Sequence, residues 1–201
     1  MALIIDSSNI VTELCTVGGL YNTDKSPFSY NGPFYNHRKG YTAVYNLIFS
    51  TLKNKPINFC EIGVLYGSGL KMFNDYFTNA KFYGIDNNMN NIQTSYQRVK
   101  GTYAKSNVNS KDEMHEAFKK FNVLFDIIID DSTHNPEHHK ILLDVVPKYL
   151  NSGGIFIIED LTDSCDESIY QHSDFKTSMF ISCEHKNTYD WNNHKIWYGV
   201  K

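Results

Sequence analysis

Two acidic pairs and a histidine are the residues of this chain best suited to chemistry. Asp130 and Asp131 close the apolar run FDIIIDD, and Glu159 and Asp160 close IFIIED. If the two runs are neighbouring strands, their ends bring three or four carboxylates together outside a sheet, where α/β folds bind ligands. Carboxylates held that close raise one another's pKa, and a hard divalent cation removes the penalty. Oxygen donors of this kind suit Mg²⁺, with Mn²⁺ a second choice, over a softer metal. His134 follows Asp131 by three positions, where an imidazole could take a proton from a hydroxyl that the metal also acidifies. The plainer reading is that the acids cap helices and solvate strand ends. Two pairs closing two strands count against it. His138 and His139 are expected to face solvent or a helix surface, with no role.

A second group of residues reads as a nucleotide site. The run INFCEIG leads into Gly63, Gly67 and Gly69, a GxxxGxG spacing rather than the GxGxxG of dinucleotide folds. Glycines at a strand end let the backbone turn tightly and let a ligand approach it. Asp86 closes the next run, KFYGID, where a carboxylate can accept the hydroxyl protons of a ribose. A Rossmann-like domain for another nucleotide is the competing reading of these residues alone.

The elements that must position these groups follow from periodicity. From Ile57 onward short apolar runs alternate with helical periods, the pattern of an α/β domain with a mostly parallel sheet. Helices are predicted over about 69–77, 90–100 (through Ile92, Tyr96 and Val99), 110–120 and 135–149, the last opening on Asn135–Pro136. GTYAK is a weak strand, Gly153–Gly154 a turn into IFIIED, and SMFISCE with HKIWYGV a closing β-hairpin. Residues 1–50 stand apart as an N-terminal flap or lead-in, broken by Gly18–Gly19, Ser26–Pro27 and Asn31–Gly32–Pro33. Residues 51–201 carry the main domain, the whole forming one globular unit.

Bulk properties narrow the function. The chain has 201 residues, 41% of them hydrophobic, with 19 Lys and Arg against 22 Asp and Glu. A net charge of −3 argues against a general nucleic-acid surface, which needs clustered basic residues. No run approaches the roughly 18 to 20 apolar residues of a membrane span, and the N-terminus lacks a basic leader. Cys15, Cys60, Cys165 and Cys183 show no paired spacing, and Cys60 reads as a buried thiol. A soluble, cytoplasmic protein without nucleic-acid or membrane partners is the expectation.

In their order along the chain, the segments TDK, YTAVYNLIF, INFCEIGV, KFYGID, FDIIIDDSTH and GGIFIIED resemble the macrocin- and mycinamicin-type sugar O-methyltransferases, from about Thr23 to Asp160. The resemblance implies the class I methyltransferase sandwich, a seven-stranded mostly parallel sheet with a C-terminal antiparallel hairpin. It implies S-adenosyl-L-methionine and Mg²⁺ as cofactors, and a sugar or glycan hydroxyl as acceptor. Carried over by residue, Asp131, Glu159 and Asp160 would hold the metal and His134 would be the general base. Glu61, Gly63 and Gly67 would shape the methionine end and Asp86 would take the ribose. Asn107 would lie near the adenine and Thr23 near the cofactor carboxylate; Asp130 is counted with the cofactor contacts. Where the family reads GGS this chain has Gly67–Ser68–Gly69, which shifts the hydroxyl contact to Ser68. Where the family reads HxY it has His37–Arg38–Lys39–Gly40–Tyr41, which leaves His37 and Tyr41 without an assigned role. With no large substrate-capturing domain in view, a homodimer could complete the pocket. A catechol-like acceptor and a non-catalytic module that only binds the cofactor are the alternatives.

Overall fold

A computed structural model of the chain describes residues 2–28, 38–95, 98–188 and 194–201. His37, the Asn31–Gly32–Pro33 break and Tyr96 lie outside the described residues. The strands are β1 (Leu3–Asp6), β2 (Asn58–Ile62), β3 (Lys81–Asp86), β4 (Gly101–Lys105), β5 (Phe125–Asp130), β6 (Leu150–Leu161), β7 (Thr177–Glu184) and β8 (Lys195–Val200). The helices are α1 (Glu13–Leu20), α2 (Tyr41–Phe49), α3 (Ser68–Tyr76), α4 (Met89–Thr94), α5 (Lys111–Phe121) and α6 (Pro136–Val145), with a 3-10 turn over Val146–Tyr149.

The strands form one sheet in the order β1-β7-β8-β6-β5-β2-β3-β4. All neighbours are parallel except β8, which runs antiparallel to both β6 and β7. That is the expected sandwich with its closing hairpin. The eighth strand is β1, from the lead-in, which pairs in parallel with β7 at Leu3↔Ile181 through Asp6↔Glu184.

Side-chain alternation builds two cores. Phe59, Ile127, Ile129 and Ile157 turn toward α1, α2 and α3, packing on Leu14, Tyr45, Phe49 and Phe73. Cys60, Ile62, Ile128 and Ile158 turn the other way, onto Met114, Phe118, Leu142 and Leu143 of α5 and α6. Cys60 is a fully buried free thiol, as expected. Glu61 follows the Phe59 face, so the one charged side chain in that strand points at α3 and the lead-in helices.

Local signals place the ends of the elements. Asn135 caps α6 by accepting the Glu137 N–H at 2.9 Å, with Pro136 in the first turn. Ser110 caps α5 through the Glu113 N–H. The Gly153–Gly154 pair does not end β6 but makes a bulge within it. Gly153 takes φ +78, and the β5–β6 register slips between Phe125↔Leu150 and Ile127↔Ile155. The helix predicted over 90–100 stops at Thr94, because Ser95 turns to extended backbone. Among the described residues, no helix is long and apolar enough to cross a membrane.

Candidate active site

Strands β2, β3 and β4 proceed toward one edge of the sheet, while β5 returns to the other side of β2. That reversal opens a crevice at the carboxyl ends of β2 and β5, the usual ligand position in such sheets. Gly63 leaves β2 with φ +85, and a Cβ there would stand 2.2 Å from the Asp131 carbonyl oxygen. Only glycine fits a turn pressed that closely on the next strand. The two strand ends are also tied directly, since the Asp131 N–H donates to the Ile62 carbonyl at 2.8 Å. A cavity of about 1050 Å³ opens here, walled by the glycine turn, the end of β3, the residues after β5 and the lead-in segment.

Of the residues singled out in the sequence, Thr23, Glu61, Gly63, Ser68, Asp86, Asp131, His134 and Asp160 line this cavity. Glu61 is 2% exposed, and its Oε2 has no hydrogen-bond partner among the described residues. Burial pushes its carboxyl up to about 8 against the opposing pull of Lys25. Asp86 accepts the Leu65 and Asn88 N–H groups at 2.8 and 2.7 Å, one on each oxygen. Each oxygen keeps a lone pair for a ligand hydroxyl.

Four other expected residues, Gly67, Asn107, Asp130 and Glu159, stand back from the cavity wall. Gly67, at φ +89, shapes the turn and precedes α3 without a side-chain cap. Asn107 turns its carboxamide to Glu113 at 3.0 Å, while its neighbours Ser106 and Val108 line the cavity. Asp130, 1% exposed, faces the α5–α6 side, where it accepts the Ser132 hydroxyl at 2.6 Å. Burial raises its carboxyl to about 7. His139 corrects the expectation of a solvent-facing side chain. It is 1% exposed, bonded to the Tyr170 hydroxyl at 2.8 Å, with Nε2 3.7 Å from Asp130. One turn of α6 carries it inward over the sheet, and burial lowers its pKa to about 4.

The acidic end is more elaborate than the sequence suggested. Glu159 is buried with both oxygens engaged, Oε2 by the Lys25 ammonium at 2.6 Å and Oε1 by the Tyr45 hydroxyl at 2.5 Å. Lys25 also pairs with Asp131 and lies 3.8 Å from Glu61. Asp160 receives Lys39 and, at 2.8 Å, the Tyr41 hydroxyl. Burial pushes Asp160 up, but Lys39 and His134 outweigh it and hold the group below the ordinary carboxylate value. In Glu159 burial prevails over Lys25 and the pKa rises. Lys25 is itself held charged, because its acidic neighbours overcome its own desolvation.

Lys25, Lys39 and Tyr45 are the site residues that sequence reading missed. The TDK segment was visible as a motif, but nothing local marks its lysine as buried. Tyr41 and Tyr45 lie one turn apart on α2, a spacing that puts both on one face.

Asp131, His134 and Asp160 offer ligand atoms that all lie within 4.8 Å of one another. His134 Nε2 is 3.6 Å from Asp160 Oδ2. Backbone strain gathers here as well. Among the described residues with positive φ, other than Gly and Asn, are Leu65 (+51), His134 (+53) and Asp160 (+59), and all three line the cavity. Non-glycine residues hold this conformation only where the surroundings over-determine it, which is common at functional sites.

A family model described as a methyltransferase domain matches residues 66–199. The chain is 29% identical over 132 residues to the 8-demethyl-8-alpha-L-rhamnosyl tetracenomycin-C 2'-O-methyltransferase of Streptomyces olivaceus, covering 62% of this chain and 34% of that one. It is 27% identical over 128 residues to the demethylmacrocin O-methyltransferase of Streptomyces fradiae, covering 60% and 31%. It thus spans about a third of the length of these relatives. Among solved structures it is similar to the MycE methyltransferase from the mycinamycin biosynthetic pathway, in complex with Mg, SAH and mycinamycin VI. That likeness has a TM-score of 0.58 at 22% identity, over 75% of this chain and 40% of the other, and concerns the fold.

Proposed function

The chain belongs to the methyltransferase-domain family, and from that premise we propose that it methylates a sugar or glycan hydroxyl, using S-adenosylmethionine and a divalent cation, Mg²⁺ first and Mn²⁺ second. The observation that carries this reading is the convergence of Asp131, His134 and Asp160 in the same cavity as Glu61, Gly63 and Asp86. One relative named above is the 2'-O-methyltransferase of a rhamnosyl tetracenomycin, which supports the acceptor class.

The residues present fit both groups. Glu61 Oε2, buried and without a partner, suits the ammonium of a methionine moiety, and Asp86 suits a ribose. Asp131 and Asp160 would hold the metal, with Glu159 reaching it by exchanging its bond to Lys25. When bound, the sulfonium cofactor supplies an activated methyl group and the cation acidifies the acceptor hydroxyl.

The chain's own work is then positioning and proton removal. His134 takes the hydroxyl proton on an imidazole nitrogen. Asp160, 3.6 Å from Nε2, orients the ring and stabilises the imidazolium that forms. Tyr41 and Lys39 fix Asp160, and Tyr45 fixes Glu159 through its other oxygen, so the acids stay where the acceptor must lie. Thr23, Ser68, Gly67, Asn107 and Asp130 remain proposed as cofactor-side residues, through the cavity wall or through the turns behind it. Residues 1–50 act as the flap that completes the site, and a homodimer in the cytoplasm is the proposed working form.

The test is S-adenosylhomocysteine formation with a panel of vicinal sugar diols and catechols in Mg²⁺. Turnover with the sugars is expected. Turnover with catechols alone would transfer the reading to small phenols, and none with any acceptor would leave a binding module.

A further inference from the structure

Glu61 is joined by a second buried group in this cavity lining that lacks a partner among the described residues. Arg38 is 4% exposed, lines the same cavity, and has an Nε–H with no acceptor among the described residues. The rest of its guanidinium is committed. One terminal nitrogen donates to the Thr23 and Phe28 carbonyls at 2.9 and 3.0 Å, and the other donates to the Asn22 side chain. Asp24 is near enough to feel the charge, yet the Nε hydrogen remains unmatched. A buried guanidinium in the cavity lining, held by its terminal nitrogens and with one donor unmatched, is suited to an anion.

A second observation points to the same kind of ligand. Helix α3 begins at Ser68 with no side-chain cap, and Ser68 and Gly69 line the cavity. Its uncapped amides and dipole favour negative charge. Gly69 also sits against Glu61 and Lys25, since a Cβ there would lie 2.6 Å from Glu61 Oε1 and 2.8 Å from Lys25 Cε. The cavity lining therefore includes a residue with an unmatched carboxylate oxygen, one with an unmatched guanidinium hydrogen and an open helix start.

We propose that Arg38 is the residue that binds the α-carboxylate of the cofactor's methionine end, with Glu61 taking the α-ammonium, so that the two orphaned groups read the amino-acid zwitterion together. This rests on the cofactor reading given above. It assigns a function to a position inside the HRKGY stretch, where the chain departs from its resembled family.

The experiment is calorimetric binding of two ligands, S-adenosylhomocysteine and its decarboxylated analogue, which keeps the amine and lacks the carboxylate. In Arg38→Gln, homocysteine-ligand affinity is expected to fall about tenfold to hundredfold, the range for a hydrogen bond to a charged group. Affinity for the decarboxylated analogue should stay within about twofold, a split that a merely structural role would not produce. Arg38→Lys keeps the charge without the fork and should show the same split at reduced size, which decides the matter if the Gln variant fails to fold. Unchanged affinity for the carboxylate ligand, or equal loss for both ligands, would overturn the assignment. Wild-type protein that binds neither ligand would instead sink the cofactor reading, and Arg38's role with it.

Discussion

The Lys25 ammonium donates to the Glu159 carboxylate at 2.6 Å, joining residues 134 positions apart at the centre of the site. The lead-in segment thereby supplies the positive charge for acids that the central strands bring together. Removing the ammonium leaves the buried Glu159 and the partly buried Asp131 without their cation, and losing one partner of a buried pair costs about 3 to 5 kcal/mol. Lys25→Met should lose that much in urea denaturation, with added Mg²⁺ restoring part of it. A loss under about 1 kcal/mol would mean the pair is structurally idle.

His134→Ala should slow methyl transfer by about a hundredfold to ten-thousandfold, the usual worth of a general base. Its affinity for S-adenosylhomocysteine should hardly change, since the imidazole sits at the acidic end of the cavity and not beside Asp86. Single-turnover rates and a binding isotherm on the same preparation check both halves. Wild-type turnover would remove His134 from the chemistry.

Dialysis against EDTA should abolish activity and Mg²⁺ should restore it. Asp160→Asn should weaken Mn²⁺ binding, followed by electron paramagnetic resonance, by at least about tenfold, because a neutral amide is a far poorer ligand for a hard cation. Full activity in chelator would exclude the metal, and unaltered Mn²⁺ binding would remove Asp160 from its ligands.

Glu61 carries a pH signature. Its carboxyl is raised to about 8, so in the free protein it is mostly protonated at pH 7. Binding an ammonium requires the carboxylate, so ligand binding at pH 7 should expel close to one proton. Affinity should therefore rise with pH towards about 8 and fall again as the ligand's own α-ammonium deprotonates. Titrations in two buffers of different ionisation enthalpy measure the proton directly. Glu61→Gln should release none; equal release by both proteins would assign the proton elsewhere.

Much of the site was legible in the sequence, for a local reason. An apolar run ending in an acid or a glycine is a strand whose last residue leaves the sheet, and INFCEIG, KFYGID, FDIIIDD and IFIIED each declare that end within a few residues. The α6 cap and the α5 cap are local too. Ile92, Tyr96 and Val99 keep a helical spacing, so periodicity predicts a longer helix after β3 than the one that ends before Ser95. Spacing alone does not say which way α6 rolls on the sheet, and so does not show that His139 turns inward.

What the sequence by itself determined was the set of groups at the strand ends: the glycine turn, Asp86, Asp131, His134, Glu159 and Asp160. Only the tertiary structure decided that β5 lies beside β2, which brings those ends to one crevice, and that Lys25, Lys39, Arg38, Tyr41 and Tyr45 enter it from the lead-in. The physical reason is that a strand's end is fixed by neighbouring residues, whereas the partner of a buried charge is fixed by whatever the fold packs against it.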